Sequence, residues 1–318
     1  MKRYLVEEGF LVKDYLAPED APTKDLAEEF TKGWLDPDVR AVFPICGSEK
    51  IFEVIQYLDP LPLAGKPVIF CGSSILSALS LWLNTYADLV TFFGPHLPFI
   101  HSYAPQREPE FTVQSFWSMV LWRSGRTKRI SSAHERYNFF SVRDTSLPRV
   151  TMRNIYLQNH LIKDAKKRDV SFFTNLEDSV EGATCCITLG AMLALRKMGS
   201  LEIRPGSIVF TETMDWSLEQ VWDALNELTQ AGVFTNAKAL FLTALTERTD
   251  RRELQYPELR DPKRIQEFCK LISSLLGLPV LYGFPLGHTA YKLTVPQGVR
   301  CTVNPIDGSV TLSEPPVK

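Results

Sequence analysis

Short apolar segments of strand length alternate with amphipathic helical stretches through the first third of this chain. This alternation constrains the fold more than any other feature. Val39–Ile45 (VRAVFPI), Pro67–Cys71 (PVIFC) and Leu89–Phe93 read as buried strands. Asp25–Trp34, Lys50–Leu58 and Ile75–Tyr86 read as helices, the second with Ile51, Val54, Ile55 and Leu58 on one face. Strands separated by helices build βαβ units, and these imply a parallel sheet covered on both faces. The expected fold class is therefore α/β.

The stretch Pro95–Asn175 is less regular and holds one helical segment, Phe111–Trp122. A domain boundary is expected inside it, near residue 160, giving domains 1–160 and 161–318. A chain of 318 residues suits two domains. The second half reads as helix Ile187–Lys197, strand Ser207–Phe210, helix Ser217–Ala231, strand Ala239–Thr243 and helix Pro262–Leu275. Ser217 and Gly232 have the residue types of an N-cap and a C-cap, and Pro262 suits a first helical turn. The tail segments PVLYGF, YKLTV, VRCTV and SVTLS predict a small antiparallel sheet packed on the second domain.

Net charge is −2, which speaks against nucleic-acid binding, since that surface needs a basic stripe. The most basic cluster, Arg123, Arg126, Lys128 and Arg129, reads as a solvated loop. Charges at Glu7, Glu8, Lys13 and Asp14 break any leader-like apolar run. The most apolar stretch, Ile75–Leu83, carries Ser77 and Ser80 and is too short to span a bilayer. The expectation is a cytoplasmic protein with no membrane partner. Cys46, Cys71, Cys185, Cys186, Cys269 and Cys301 form no C-x-x-C pair, and no histidine stands at zinc-finger spacing. They read as buried free thiols, with no metal site.

Three segments could carry chemistry. In PVIFC-GSS-ILSALSLWL a strand runs into Gly72-Ser73-Ser74 and a helix starts at once. A serine on such a turn exposes its hydroxyl at the carboxyl edge of the sheet, and the N–H groups that follow suit an oxyanion. Serine is equally an ordinary N-cap, so residue type leaves both roles open. His288, in FPLGHT, follows a strand and could accept a proton from a hydroxyl, or it could be a structural loop histidine. Glu212, at the expected end of the strand SIVFTE, could orient that imidazole or be a plain strand-end carboxylate. His96, His101, His134 and His160 sit in the irregular middle, with nothing placing them near a nucleophile.

Taken together, five segments resemble the serine peptidase family of LD-carboxypeptidases and microcin C immunity peptidases. They are DPDVRAVFPICGSEKIFEVIQYLD, KPVIFCGSSILSAL, LVTFFGP, SIVFTETMDWSLEQVWDALNELTQAGVF and LPVLYGFPLGHTAYKLTVPQGV. The resemblance implies a Rossmann-like parallel-sheet N-terminal domain carrying the nucleophile and a mixed α/β C-terminal domain carrying the other two residues. It puts the catalytic serine at Ser74, the glutamate at Glu212, the histidine at His288 and an oxyanion-binding N–H at Ile75. It implies cleavage of an amide bond near a free carboxylate of a small peptide or peptide-like substrate, no metal or cofactor, and a possible homodimer. Several positions depart from the family pattern. Ile75 stands where Asp is usual, Cys185-Cys186-Ile187 where Gly-Gly-Asn is usual, Ile45-Cys46-Gly47 where Arg-Gly-Gly is usual, Asp223 where Arg is expected and Phe93 where His is common. The family's first strand would lie before Met1. These departures point to an altered substrate. They also keep two alternatives in view: a scaffold recruited for a different reaction in secondary metabolism, and a non-catalytic binding protein.

Overall fold

The computed structural model describes residues 2–18, 20–45, 47–97, 100, 110–121, 149–151, 173–175, 177–246, 255–289, 292–305 and 309–316. The basic cluster 123–129, Cys46, His101, His134, His160 and the expected boundary near residue 160 lie outside the described residues.

The first sheet has the order β1-β2-β3-β10. Its strands are β1 (Ala41–Val42), β2 (Ile69–Gly72), β3 (Thr91–Phe93) and β10 (Val295–Gln297). The first three are parallel, and β10 runs antiparallel to β3 with Val295 opposite Phe93. The helices α2 (Thr23–Leu35), α3 (Lys50–Tyr57) and α5 (Ser77–Ala87) connect and cover these strands, with α1 (Lys2–Glu7) and the short α4 (Pro60–Ala64) beside them. Nearly every side chain of α5 is buried. The reason is its position: it packs on β2 and β3 of its own sheet and also on β6 (Val180–Cys186), β10 and α7 (Leu189–Lys197). A helix buried on nearly every face belongs in such a place.

The second sheet is eight-stranded, in the order β4-β12-β11-β6-β7-β8-β9-β5. The strands β6, β7 (Ser207–Met214), β8 (Ala239–Thr246) and β9 (Val280–Tyr282) are parallel. They are joined by α7, α8 (Leu218–Gln230) and α9 (Pro262–Leu276). The strands β4 (Arg149–Thr151), β11 (Arg300–Asn304) and β12 (Ser309–Leu312) add antiparallel on one side, and β5 (Phe173–Thr174) on the other. The remaining described helix, α6 (Glu110–Val120), buries Phe116 and Trp117.

Two expectations are corrected here. The tail strands form no sheet of their own: β9 extends the parallel sheet, β10 crosses to the first sheet, and β11 and β12 continue the second from the free edge of β6. The strand β6 itself escapes the periodicity, because Glu181, Gly182 and Thr184 interrupt its apolar residues. Gly182 is obligatory there, since a Cβ would lie 2.4 Å from the carbonyl oxygen of Gly206. The expected strand Val39–Ile45 contracts to Ala41–Val42, both half-buried.

Two apolar clusters hold the sheets together. One gathers Trp34, Phe70, Leu79, Leu83, Met192, Leu225 and Leu240, drawn from both sheets and their helices. The other is aromatic, with Phe92, Phe93, Phe116, Phe210, Phe241 and Phe284. Both contain residues from each sheet, so the loops at the strand ends are held against one another by continuous packing.

Candidate active site

The chain leaves β2 at Gly72 and enters a 3-10 turn, Ser74–Leu76, that runs directly into α5. Ser74 has φ +54, a left-handed conformation. A non-glycine residue there costs on the order of 1–3 kcal/mol and persists only where its surroundings impose it. The surroundings are tight. A Cβ on Gly72 would lie 2.8 Å from Leu76 Cβ, and one on Gly47 would lie 2.7 Å from Ile75 Cγ2. Neither Ser73 nor Leu76, the cap positions of the turn and of α5, makes a side-chain cap bond. Ser74 does not act as an N-cap, and its hydroxyl makes no hydrogen bond among the described residues.

The carbonyl of Ser73 accepts from the N–H of Leu76 at 3.1 Å. His96 Nε2 lies 3.4 Å from the same oxygen. Sequence reasoning left His96 unplaced, yet a signal was present. The Gly94-Pro95-His96 loop leaves β3 where the parallel neighbour β2 also ends, so it must pass beside the serine turn. The N–H of Gly94 accordingly donates to the carbonyl of Gly72 at 3.3 Å.

Glu212 was expected to end its strand. Instead β7 runs on to Met214, and its register against β8 slips at Thr211/Glu212. Thr211 pairs with Leu242 and Glu212 with Ala244, which leaves Thr243 as the extra residue. The Thr243 hydroxyl donates to the carbonyl of Thr211 at 3.0 Å. Bulges of this kind re-aim side chains next to functional sites. Here Glu212, only 1% exposed, points to the loop after β9.

That loop presents His288, whose Nδ1 lies 2.9 Å from both Oε1 and Oε2 of Glu212. Burial of the imidazole disfavours its charged form. The hydrogen bond and the charge of Glu212 outweigh this, with a smaller push from Asp215 against Lys292, and the net effect is a raised pKa. With Nδ1 donating to the carboxylate, Nε2 is the basic nitrogen. Gly287 (φ +84) makes the approach possible.

The structure thus joins two of the three expected residues directly, Glu212 and His288. Ser74 stands at the carboxyl end of a strand in the other sheet, and no hydrogen bond links it to His288 among the described residues. The backbone N–H of Ile75 follows the strained serine at the start of the turn. Among the described residues no cluster of His, Cys, Asp and Glu could hold a metal ion, and no helix is long and apolar enough to cross a membrane.

Known proteins match both halves of this arrangement. The LD-carboxypeptidase N-terminal domain matches residues 3–94 and the LD-carboxypeptidase C-terminal domain residues 182–303. The Microcin C7 self-immunity protein MccF of Escherichia coli is 23% identical over 295 residues, covering 92% of this chain and 78% of its own length. The structure of MccF in complex with glutamyl sulfamoyl guanosine superposes with a TM-score of 0.72 at 19% identity, over 99% of this chain and 90% of that one. Muramoyltetrapeptide carboxypeptidase from Oxalobacter formigenes gives 0.69 at 20% identity, over 97% and 90% of the two chains. These likenesses establish the α/β fold, and with both of its domains matched in order the chain belongs to the LD-carboxypeptidase family.

Proposed function

We propose that the chain is a serine peptidase of LD-carboxypeptidase type that cleaves an amide bond near a free carboxylate of a small peptide or peptide-like substrate. The observation that carries this reading is the 2.9 Å hydrogen bond between buried Glu212 and partly exposed His288, taken together with Ser74 on its strained turn at the end of β2. A carboxylate on Nδ1 holds the tautomer whose Nε2 can take a proton, the requirement for activating a hydroxyl.

The steps of this reading are those of acyl transfer. His288 Nε2 takes the Ser74 proton as Oγ attacks the substrate carbonyl. The oxyanion is held by the N–H of Ile75, a contact of a kind worth about 3 kcal/mol in the transition state. The imidazolium, stabilised by Glu212, returns its proton to the leaving amine. Water, deprotonated by the same imidazole, then releases the acyl group and restores Ser74. Apo sites often hold nucleophile and base beyond hydrogen-bond reach, and the contact tightens when substrate binds.

The substrate differs from that of a standard cell-wall recycling enzyme. Asp223 stands where the family pattern has Arg, and an acidic side chain cannot form a bidentate clamp on a substrate carboxylate. MccF has been solved with glutamyl sulfamoyl guanosine and with aspartyl sulfamoyl adenosine, so aminoacyl sulfamoyl nucleosides are candidates here beside L,D-peptides. Hydrolysis of both classes should be assayed, with covalent labelling of Ser74 by a serine-reactive phosphonate. Loss of turnover and labelling in Ser74→Ala supports the reading. Full turnover in that variant overturns it.

A further inference from the structure

The strain at Ser74 needs something to hold it, and the hydrogen bonds around the turn show what does. Ser77, three residues on, is completely buried. Its hydroxyl donates to the carbonyl of Ser74 at 2.5 Å. The Ser77 hydroxyl oxygen in turn accepts the backbone N–H of Thr188 at 3.2 Å. Thr188 lies in the connection leaving β6, and its own hydroxyl caps α7 by accepting from Ala191 N at 3.3 Å. One buried hydroxyl therefore bridges the serine turn of the first sheet to the strand-helix connection of the second.

The position matters because the site is split. The serine belongs to the first sheet, whereas Glu212 and His288 belong to the second. Proton transfer requires the two halves to keep a register of about half an ångström. Packing alone permits small sliding of one layer on another. A hydrogen-bonded bridge at the turn itself does not, because breaking it takes away the acceptor of the Thr188 N–H and one of the two bonds made to the Ser74 carbonyl, the other coming from the Ser77 N–H.

We infer that Ser77 is a positioning residue. Resting on the peptidase reading above, its hydroxyl pins the Ser74 backbone to the β6–α7 connection and so sets the nucleophile against the Glu212–His288 pair. The part of the side chain that matters is the hydroxyl. Threonine can supply the same donor and acceptor, whereas alanine and valine cannot. Valine has threonine's shape, so the Thr/Val pair separates hydrogen bonding from packing.

The test uses the full chain and a fluorophosphonate, measuring maximal inactivation rate and half-saturating concentration separately. Ser77→Ala and Ser77→Val should lose about ten- to hundredfold in the maximal rate, the scale of a small misplacement of reacting groups. Their half-saturating concentration should hold, because the probe contacts neither the lost hydroxyl nor Thr188. Ser77→Thr should restore the rate to within about threefold of the parent, a small residue beside that misplacement loss. Circular dichroism identifies variants that are folded. If valine is not accommodated, the Ala and Thr variants decide. Wild-type rates in Ser77→Ala, or a loss in Ser77→Thr as deep as in Ser77→Val, overturn the inference. Failure of the parent protein itself to label at Ser74 is a separate result: it removes the peptidase reading and this inference with it.

Discussion

Gly287 lies so close to Glu212 that a Cβ built on the glycine would sit 2.4 Å from the carboxylate carbon. The absence of a side chain at 287 is what lets the histidine beside it reach the buried carboxylate. The backbone there also has φ +84, which favours glycine independently. Gly287→Ala should therefore cost about 2–4 kcal/mol, from overpacking combined with left-handed strain. Denaturant unfolding measures this directly, and a change below about 0.5 kcal/mol, the size of an ordinary surface substitution, would contradict the close approach.

The Glu212–His288 pair predicts a pH dependence. The folded imidazole titrates above its ordinary 6.5. Its contribution to stability is complete below pH 6.5 and fades as the pH rises through the raised folded value. The stability difference between the parent and His288→Asn should thus be larger at about pH 6 than at about pH 9. Phosphonate labelling has the opposite sense, because the base must be neutral, and its rate should climb through the same raised pKa. Glu212→Gln removes the charge that raises it. The limb should move to lower pH while the plateau falls, and an unmoved limb would show that another group controls it.

Phe284 supports the histidine loop from below. Its ring centroid lies 5.5 Å from those of both Phe210 and Phe241, which are themselves stacked at 4.7 Å. Phe284→Ala should cost about 3–5 kcal/mol, as buried aromatic truncations do. It should also slow labelling of Ser74, since the loop to His288 loses its floor. Equilibrium unfolding and inactivation kinetics read the two effects separately.

The cysteines should be inert in the folded protein. Cys71, Cys185, Cys186, Cys269 and Cys301 are buried free thiols. Burial pushes Cys185, Cys269 and Cys301 up to about 12, slightly offset at Cys185 by Gln297. The thiolate is the reactive form. Iodoacetamide at about pH 8, near the free-thiol pKa, should modify these five only after denaturation, as peptide mass mapping would show. Rapid native alkylation at any of them would contradict its burial.

The helix α8 offers a local test of capping at its N-terminus. Ser217 and Gln220 form a reciprocal capping box, with bonds of 2.8 and 3.1 Å. Ser217→Ala should cost about 1 kcal/mol, read as a shift in the denaturant midpoint with no change in slope.

Much of this architecture is legible in the residues. The N-cap at Ser217, proline in the first turn of α9 and the run PVIFC-GSS-ILSAL mark their elements because caps, fixed φ and apolar periodicity act over a few residues. The strand β6 is not legible in the same way, because the Glu181-Gly182 pair breaks its pattern for a reason visible only once Gly206 is packed against it. His96 is similar. Its nearness to Ser73 depends on β2 and β3 being parallel neighbours, a relation between segments that no local window contains.

The candidate site divides along the same line. Sequence alone settled where a serine must sit on a strand-to-helix turn and which histidine follows a glycine at the end of a later strand, because these are short-range features of chain geometry. It could not settle that Glu212 lies inside a strand and turns toward His288 through a register slip, since that slip is made by β8 and not by the glutamate's own neighbours. Nor could it supply the bridge from Ser77 to Thr188, which exists only because α5 is wedged between two sheets. Local propensity acts along the chain, whereas the alignment of a split site arises where distant segments pack.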